Sequence, residues 1–174
     1  MAESTRAHKE VDTGHHHGRS RRDFVRAMLS DLRALERMLQ EKRFEHGVRR
    51  IGAELEMFLT DQAFQPAAAS LQMLEQLKDP HFTTELGLFQ LEMNADPQGF
   101  GGDGFSKMES QMRELVDRTR KAAEELGLHA LLMGILPTIR KQDLGLHNMV
   151  PSPRYLALSK AVQELRGGNF QISI

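Results

Sequence analysis

The spacing of hydrophobic positions changes period several times along the chain, and each change marks an element. From about Ser20, Phe24, Met28, Leu32, Leu35 and Leu39 recur at intervals of three and four with charges between them. That is the period of an amphipathic helix, with Ser20 as its N-cap and Gly47 as its stop. The next stretch, RIGAELEMFLTD at residues 50–61, alternates instead. In a strand it puts Ile51, Ala53, Leu55, Met57 and Leu59 on one face and Gly52, Glu54, Glu56 and Phe58 on the other. DQAFQP, residues 61–66, is a turn, and residues 67–77 read as a helix ending before Asp79-Pro80.

HFTTELGLFQLEMNADP, residues 81–97, reads as a second extended segment closed by Asp96-Pro97, followed by the glycine-rich loop GFGGDGF. Ser106 and Glu109 form an S-x-x-E pattern that predicts a capped helix start. Its core stripe is Met108, Met112, Leu115, Thr119, Ala122 and Leu126, and Gly127 terminates it. HALLMGIL, residues 129–136, is short enough for a buried strand. Ser152-Pro153 opens a helix running to about Leu165, which Gly167 and Gly168 stop, and residues 169–174 read as a last strand. Strands with one polar face favour an antiparallel sheet with helices packed on one side and a site on the other, an α+β fold.

Composition narrows the function more than the fold. With 174 residues, 40% hydrophobic and 27% charged, and a formal net charge of −1, the chain has enough for one core. Nothing in that balance points to nucleic acid or membrane. The absence of cysteine excludes disulfides, thiolate metal sites and thiol catalysis. No apolar run reaches spanning length and the N-terminus lacks a secretory apolar stretch, so a cytoplasmic location is expected. Residues 1–20 are polar and aperiodic, a disordered tail ahead of a folded portion at 21–174, and their His15, His16 and His17 suit only adventitious metal affinity.

The candidate chemistry lies in the strands. Glu54 and Glu56 sit side by side on one strand face and repel unless a cation lies between them or one keeps its proton. In the second segment, Phe89, Leu91 and Met93 share one face and Gln90, Glu92 and Asn94 the other, which repeats the design. Glu85 precedes Glu92 by seven residues, an odd separation that a regular strand would place on the opposite face. Gly87 between them offers a bulge or kink to bring Glu85 round. Hard oxygen ligands without cysteine suit Mg²⁺ or Mn²⁺. The plainer reading is a row of glutamates on the solvent face of a sheet. The glycine loop lacks P-loop spacing and the Lys-Ser/Thr ending.

RIGAELEMFL resembles the G-x-E-x-E strand of the glutamate–cysteine ligases and related carboxylate–amine ligases, whose fold is similar to that of glutamine synthetase. HFTTELGLFQLEMNADP resembles that family's second acidic segment, and GILPTI, MVPSPRY and NFQISI follow in the family's order. The resemblance covers about residues 49–174 and implies a partial glutamine synthetase-like catalytic domain. It implies that Glu54, Glu56, Glu85 and Glu92 coordinate metal and that Gln171 and Ser173 line the cofactor cavity. It implies Mg²⁺ (or Mn²⁺), ATP as co-substrate, and small-molecule substrates, namely glutamate and an amine such as cysteine, as in glutathione biosynthesis. The expected chemistry is amide formation through an acyl phosphate. Family members continue well beyond residue 174, so the chain is expected to be an N-terminal portion truncated at a strand and inactive alone. Its open sheet edge would be covered by a partner, a second copy among the candidates. The alternative is a non-catalytic metal- or nucleotide-binding or interaction module.

Overall fold

The computed structural model describes residues 19–167. The tail of residues 1–18, with His15–His17, and residues 168–174, with Gln171, Ser173 and the expected last strand, lie outside the described residues. The chain divides into two units, Met1–Val48 and Arg49–Ile174.

In the first unit the periodic stripe forms helix α1, Arg19–Gln40. It ends well before Gly47, where Lys42 turns left-handed with φ 53°. Phe24, Met28, Leu32, Leu35 and Leu39 are all exposed.

The second unit carries the sheet. Its elements in order are β1 (Arg50–Ile51), β2 (Glu54–Thr60), α2 (Ser70–Leu77), β3 (Phe82–Thr84), β4 (Gln90–Asn94), β5 (Gln98–Gly99), α3 (Gly104–Glu125), β6 (His129–Leu131) and α4 (Pro153–Arg166). Four strands pair antiparallel in the order β3-β4-β2-β6, while β1 and β5 form a separate two-stranded ribbon. This is an α+β fold. Alternation along β2 and β4 sends Met57, Leu59, Leu91 and Met93 to one face, where they are fully buried. That face packs against Met73 of α2 and Met112, Leu115 and Ala123 of α3. Each such side chain contributes about 1.5–3 kcal/mol by leaving water. The opposite face divides in two. At one end Phe58 and Phe89 stack, with ring centroids 6.3 Å apart, under Leu136. At the other end lie the glutamates.

The structure departs from the periodicity in four places. Residues 50–61 are not one strand: the chain breaks at Gly52-Ala53, so that β1 pairs with β5 and β2 with β4. Residues 81–97 are not one extended run but a hairpin, β3 against β4. The Ser106–Glu109 box is not made, because α3 begins at Gly104 with Asp103 as N-cap, and Glu109 bonds Arg113 at 2.7 Å instead. Of residues 129–136 only His129–Leu131 pair as strand, and Leu136 turns back to cover Phe58 and Phe89. The stops fare better: Gly127 and Gly167 both adopt the left-handed conformation, with φ 70° and 69°. No helix among the described residues is long and apolar enough to cross a membrane.

Candidate metal centre

Register builds the acidic wall. The pairing of β2 with β4 sets Glu56 directly opposite Glu92, and Glu54 opposite Asn94. The pairing of β3 with β4 sets Thr83 on the other side of Glu92. Glu92 is therefore flanked on both sides by strands, and like charges directly opposite each other on a sheet are destabilising.

The hairpin recruits Glu85. Gln90 N donates to Gly87 O at 3.0 Å, closing a turn that reverses the chain between β3 and β4. Because Thr83 is the register partner of Glu92, Glu85 two residues on shares its parity and returns to the same face. An odd separation that fails in a single strand succeeds across a reversal. Gly87 leaves room there: a Cβ would lie 2.8 Å from Gln90 Oε1 and 3.2 Å from the Phe89 ring, so a larger residue would have to displace the Gln90 side chain. The turn also shifts parity, so that Phe89 joins Phe58 on the second face rather than Leu91 and Met93 in the main core.

Glu56, Glu85 and Glu92 thus converge, each with a carboxylate oxygen within 4.8 Å of the others. Neighbouring oxygens on one octahedral Mg²⁺ are about 3 Å apart, given its ~2.1 Å bonds, so the three carboxylates would have to draw together to share an ion and would fill only part of its shell. Burial pushes the Glu85 carboxyl above its usual range. The Leu86 backbone N–H works against that, and the charge of Glu56 and a hydrogen bond with Glu92 add to it. No cationic side chain is among the groups that shift Glu85. Glu54 is exposed at the start of β2, on the same face but outside this group of three.

A second acidic cluster, invisible to the strand pattern, lies three residues before β3. Asp79 accepts from the His81 backbone N–H at 2.8 Å, from His81 Nδ1 at 2.7 Å and from Arg118 Nη1 at 2.6 Å. Burial alone would raise its carboxyl. The His81 backbone, Arg118 and the His81 ring overcome that and hold it at about 2. His81 in turn reaches Asp96 from Nε2 at 3.3 Å, and its pKa is raised, chiefly by Asp79 against the cost of burial, with Asp96 adding to it. The Arg118 guanidinium also stacks over Phe82, 5.3 Å from the ring centroid. Only the D-x-H spacing hints at this in the sequence, and nothing in it points to Arg118, 39 residues away.

The geometry alone leaves the chemical class open. The family model described as glutamate–cysteine ligase family 2 matches residues 50–171. The chain belongs to glutamate–cysteine ligase family 2. The match holds Glu54, Glu56, Glu85, Glu92 and Gln171, while Ser173 and α1 fall outside it. Membership makes this a ligase-family chain, and it sets the acidic wall inside the family region. No curated protein and no solved structure is found to match the chain.

Proposed function

We propose that the acidic wall is the metal-holding side of an ATP- and Mg²⁺-dependent (or Mn²⁺-dependent) carboxylate–amine ligase, built on a glutamine synthetase-like sheet. One observation carries the reading: in a ligase-family chain, Glu56 of β2, Glu92 of β4 and Glu85 just after β3 bring carboxylate oxygens within 4.8 Å of one another. Glu56, Glu85 and Glu92 would hold one ion together, and Glu54 would serve a neighbouring one. A bound ion would neutralise phosphate charge and favour in-line transfer of the ATP terminal phosphoryl group to a substrate carboxylate. The chain's own part is to fix Glu56 and Glu92 on paired strands and Glu85 at the turn after β3, and to give up the proton favoured at Glu85. An amine, that of cysteine among the candidates, would then attack the acyl phosphate of glutamate to give the amide. Gln171 and Ser173 belong to the same proposal as cofactor-facing residues.

Three carboxylates are fewer ligands than the six an octahedral ion takes, so the chain alone would bind Mg²⁺ weakly and not sustain turnover. Thermal melts with and without Mg²⁺ or Mn²⁺ test the metal, and phosphate release with ATP, glutamate and cysteine tests the turnover. A wild-type chain whose melting temperature ignores both ions, with no ion-induced shift at the glutamates, refutes the metal reading and favours an interaction module. Sustained phosphate release by the purified chain refutes the expected inactivity.

A further inference from the structure

The wall carries uncharged polar residues among its glutamates, and one of them, Asn94, bonds a carboxylate of the converging three. Asn94 lies opposite Glu54 at the end of β4, on the face that holds Glu56 and Glu92. Its Nδ2 donates to Glu92 Oε1 at 2.8 Å. Its backbone N–H donates to His81 O at 2.8 Å, which ties the end of β4 to the segment leading into β3. The residue is half-buried, and its backbone is held by pairing with β2 on one side and by this bond on the other, which fixes the point from which the carboxamide reaches Glu92.

We infer that Asn94 is the positioning residue of the metal centre: its carboxamide fixes the rotation of the Glu92 carboxylate so that the remaining lone pairs face Glu56 and Glu85. The inference rests on the metal reading given above. The physical argument is one of donors and acceptors. Glu92 has a carboxylate opposite it on β2 and another beside it, and neither can donate to it once ionised. A glutamate side chain left to itself would swing away from two like charges, because three of its torsions are free. One charge-assisted hydrogen bond from a neutral donor stops that swing without adding a cation that would compete with the metal. Asparagine suits the position: it donates, it carries no charge, and it is too short to reach the ion's place in Glu92's stead. Partners that orient a ligand in this way typically account for about 10- to 100-fold in metal affinity.

The test uses the 174-residue chain with Mn²⁺ alone as the probe. Affinity is measured by titration calorimetry and the geometry of the bound ion by electron paramagnetic resonance. The expected result is that Asn94→Ala weakens Mn²⁺ binding by about ten-fold and changes the zero-field splitting of whatever remains bound. Asn94→Leu, which fills the same space without a donor, should do the same while melting near the wild type without metal, and it is the variant scored should alanine loosen the strand end. A merely structural asparagine would shift the melt and leave the spectrum of the bound ion alone. Wild-type affinity and an unchanged spectrum in Asn94→Leu overturn the positioning role while leaving the metal reading intact. A wild type that binds no Mn²⁺ overturns both.

Discussion

Two acidic side chains flank β3, and their surroundings are opposite. Asp79, on one side, is met by Arg118, the His81 ring and a backbone N–H, and its carboxyl is held at about 2. Glu85, on the other, has Glu56 and Glu92 for neighbours and is pushed up. Both are largely withdrawn from water. The difference teaches which acid serves the fold and which waits for something else. Where the chain supplies its own donors, ionisation stabilises the native state. Where it supplies only further carboxylates, ionisation costs the native state, and under the proposed function a cation would offset that cost.

The hardest test removes the compensated acid. Asp79→Ala takes the acceptor from three donors and leaves the partly buried Arg118 unpaired, so a loss of about 2–4 kcal/mol is expected in urea unfolding. Glu85→Gln in the metal-free chain should cost nothing or stabilise slightly. Equal losses in the two variants would break the comparison.

Acid should separate them next. Asp79 falls from an unfolded value of 3.8 to about 2 when folded. Its stabilisation is therefore complete above about pH 4 and disappears as pH falls through about 2, a loss of roughly 2 kcal/mol at ~1.4 kcal/mol per unit. Glu85 has the reverse sign: its raised folded pKa favours the native state below its unfolded value of 4.5, and that contribution fades as pH rises through the raised value. His81, raised from 6.5, likewise stabilises below that value and ceases to do so at higher pH. Urea titrations from pH 2 to 8 on the wild type, Asp79→Asn and Glu85→Gln should show the acid limb shrink by the Asp79 share only in Asp79→Asn, with Glu41, also lowered, keeping a remainder in every variant. A fall toward pH 2 that stays undiminished in that variant assigns the limb elsewhere.

Metal sharpens the contrast further. Glu56→Gln removes one charge from a directly opposed pair, so the metal-free variant should be as stable as the wild type or more so by a few tenths to about 1 kcal/mol. With saturating Mg²⁺ or Mn²⁺ the order should reverse, since only the wild type gains the full binding energy. Identical shifts on adding metal would show that Glu56 is not a ligand. Binding should also release protons into weakly buffered solution, more at pH 5 than at pH 8, because the proton favoured at Glu85 must leave.

The smallest effect is expected at Glu54. It is exposed and outside the converging three, so Glu54→Gln should change Mn²⁺ affinity by less than about three-fold, against ten-fold or more for Glu56→Gln. A loss at Glu54 as large as at Glu56 would move the primary site toward the β2 start and Asn94.

What the sequence determined on its own is what short-range periodicity can encode. Alternation sorted Met57, Leu59, Leu91 and Met93 from Glu54, Glu56 and Glu92, and those four are fully buried on one face, although Phe58 and Phe89 bury on the other. Spacings of three and four located α1 and α3, and glycine located the ends of α3 at 127 and of α4 at 167, because a left-handed residue is a local requirement. The family resemblance carried by the two acidic segments agrees with the matched region. Chain reversals and partners distant in sequence were decided by the tertiary structure. A turn at Gly87 converts one apparent strand into a hairpin and carries Glu85 to the side of Glu92, while Phe89 changes faces for the same reason. The break at Gly52 sends Arg50 and Ile51 to a different ribbon, because their pairing partner lies 47 to 49 residues further on. Arg118 reaches Asp79 only because α3 packs back across the sheet. Periodicity records which side of an element meets the core; which elements then face each other depends on turns and register, and a single residue of slip there reverses every side chain.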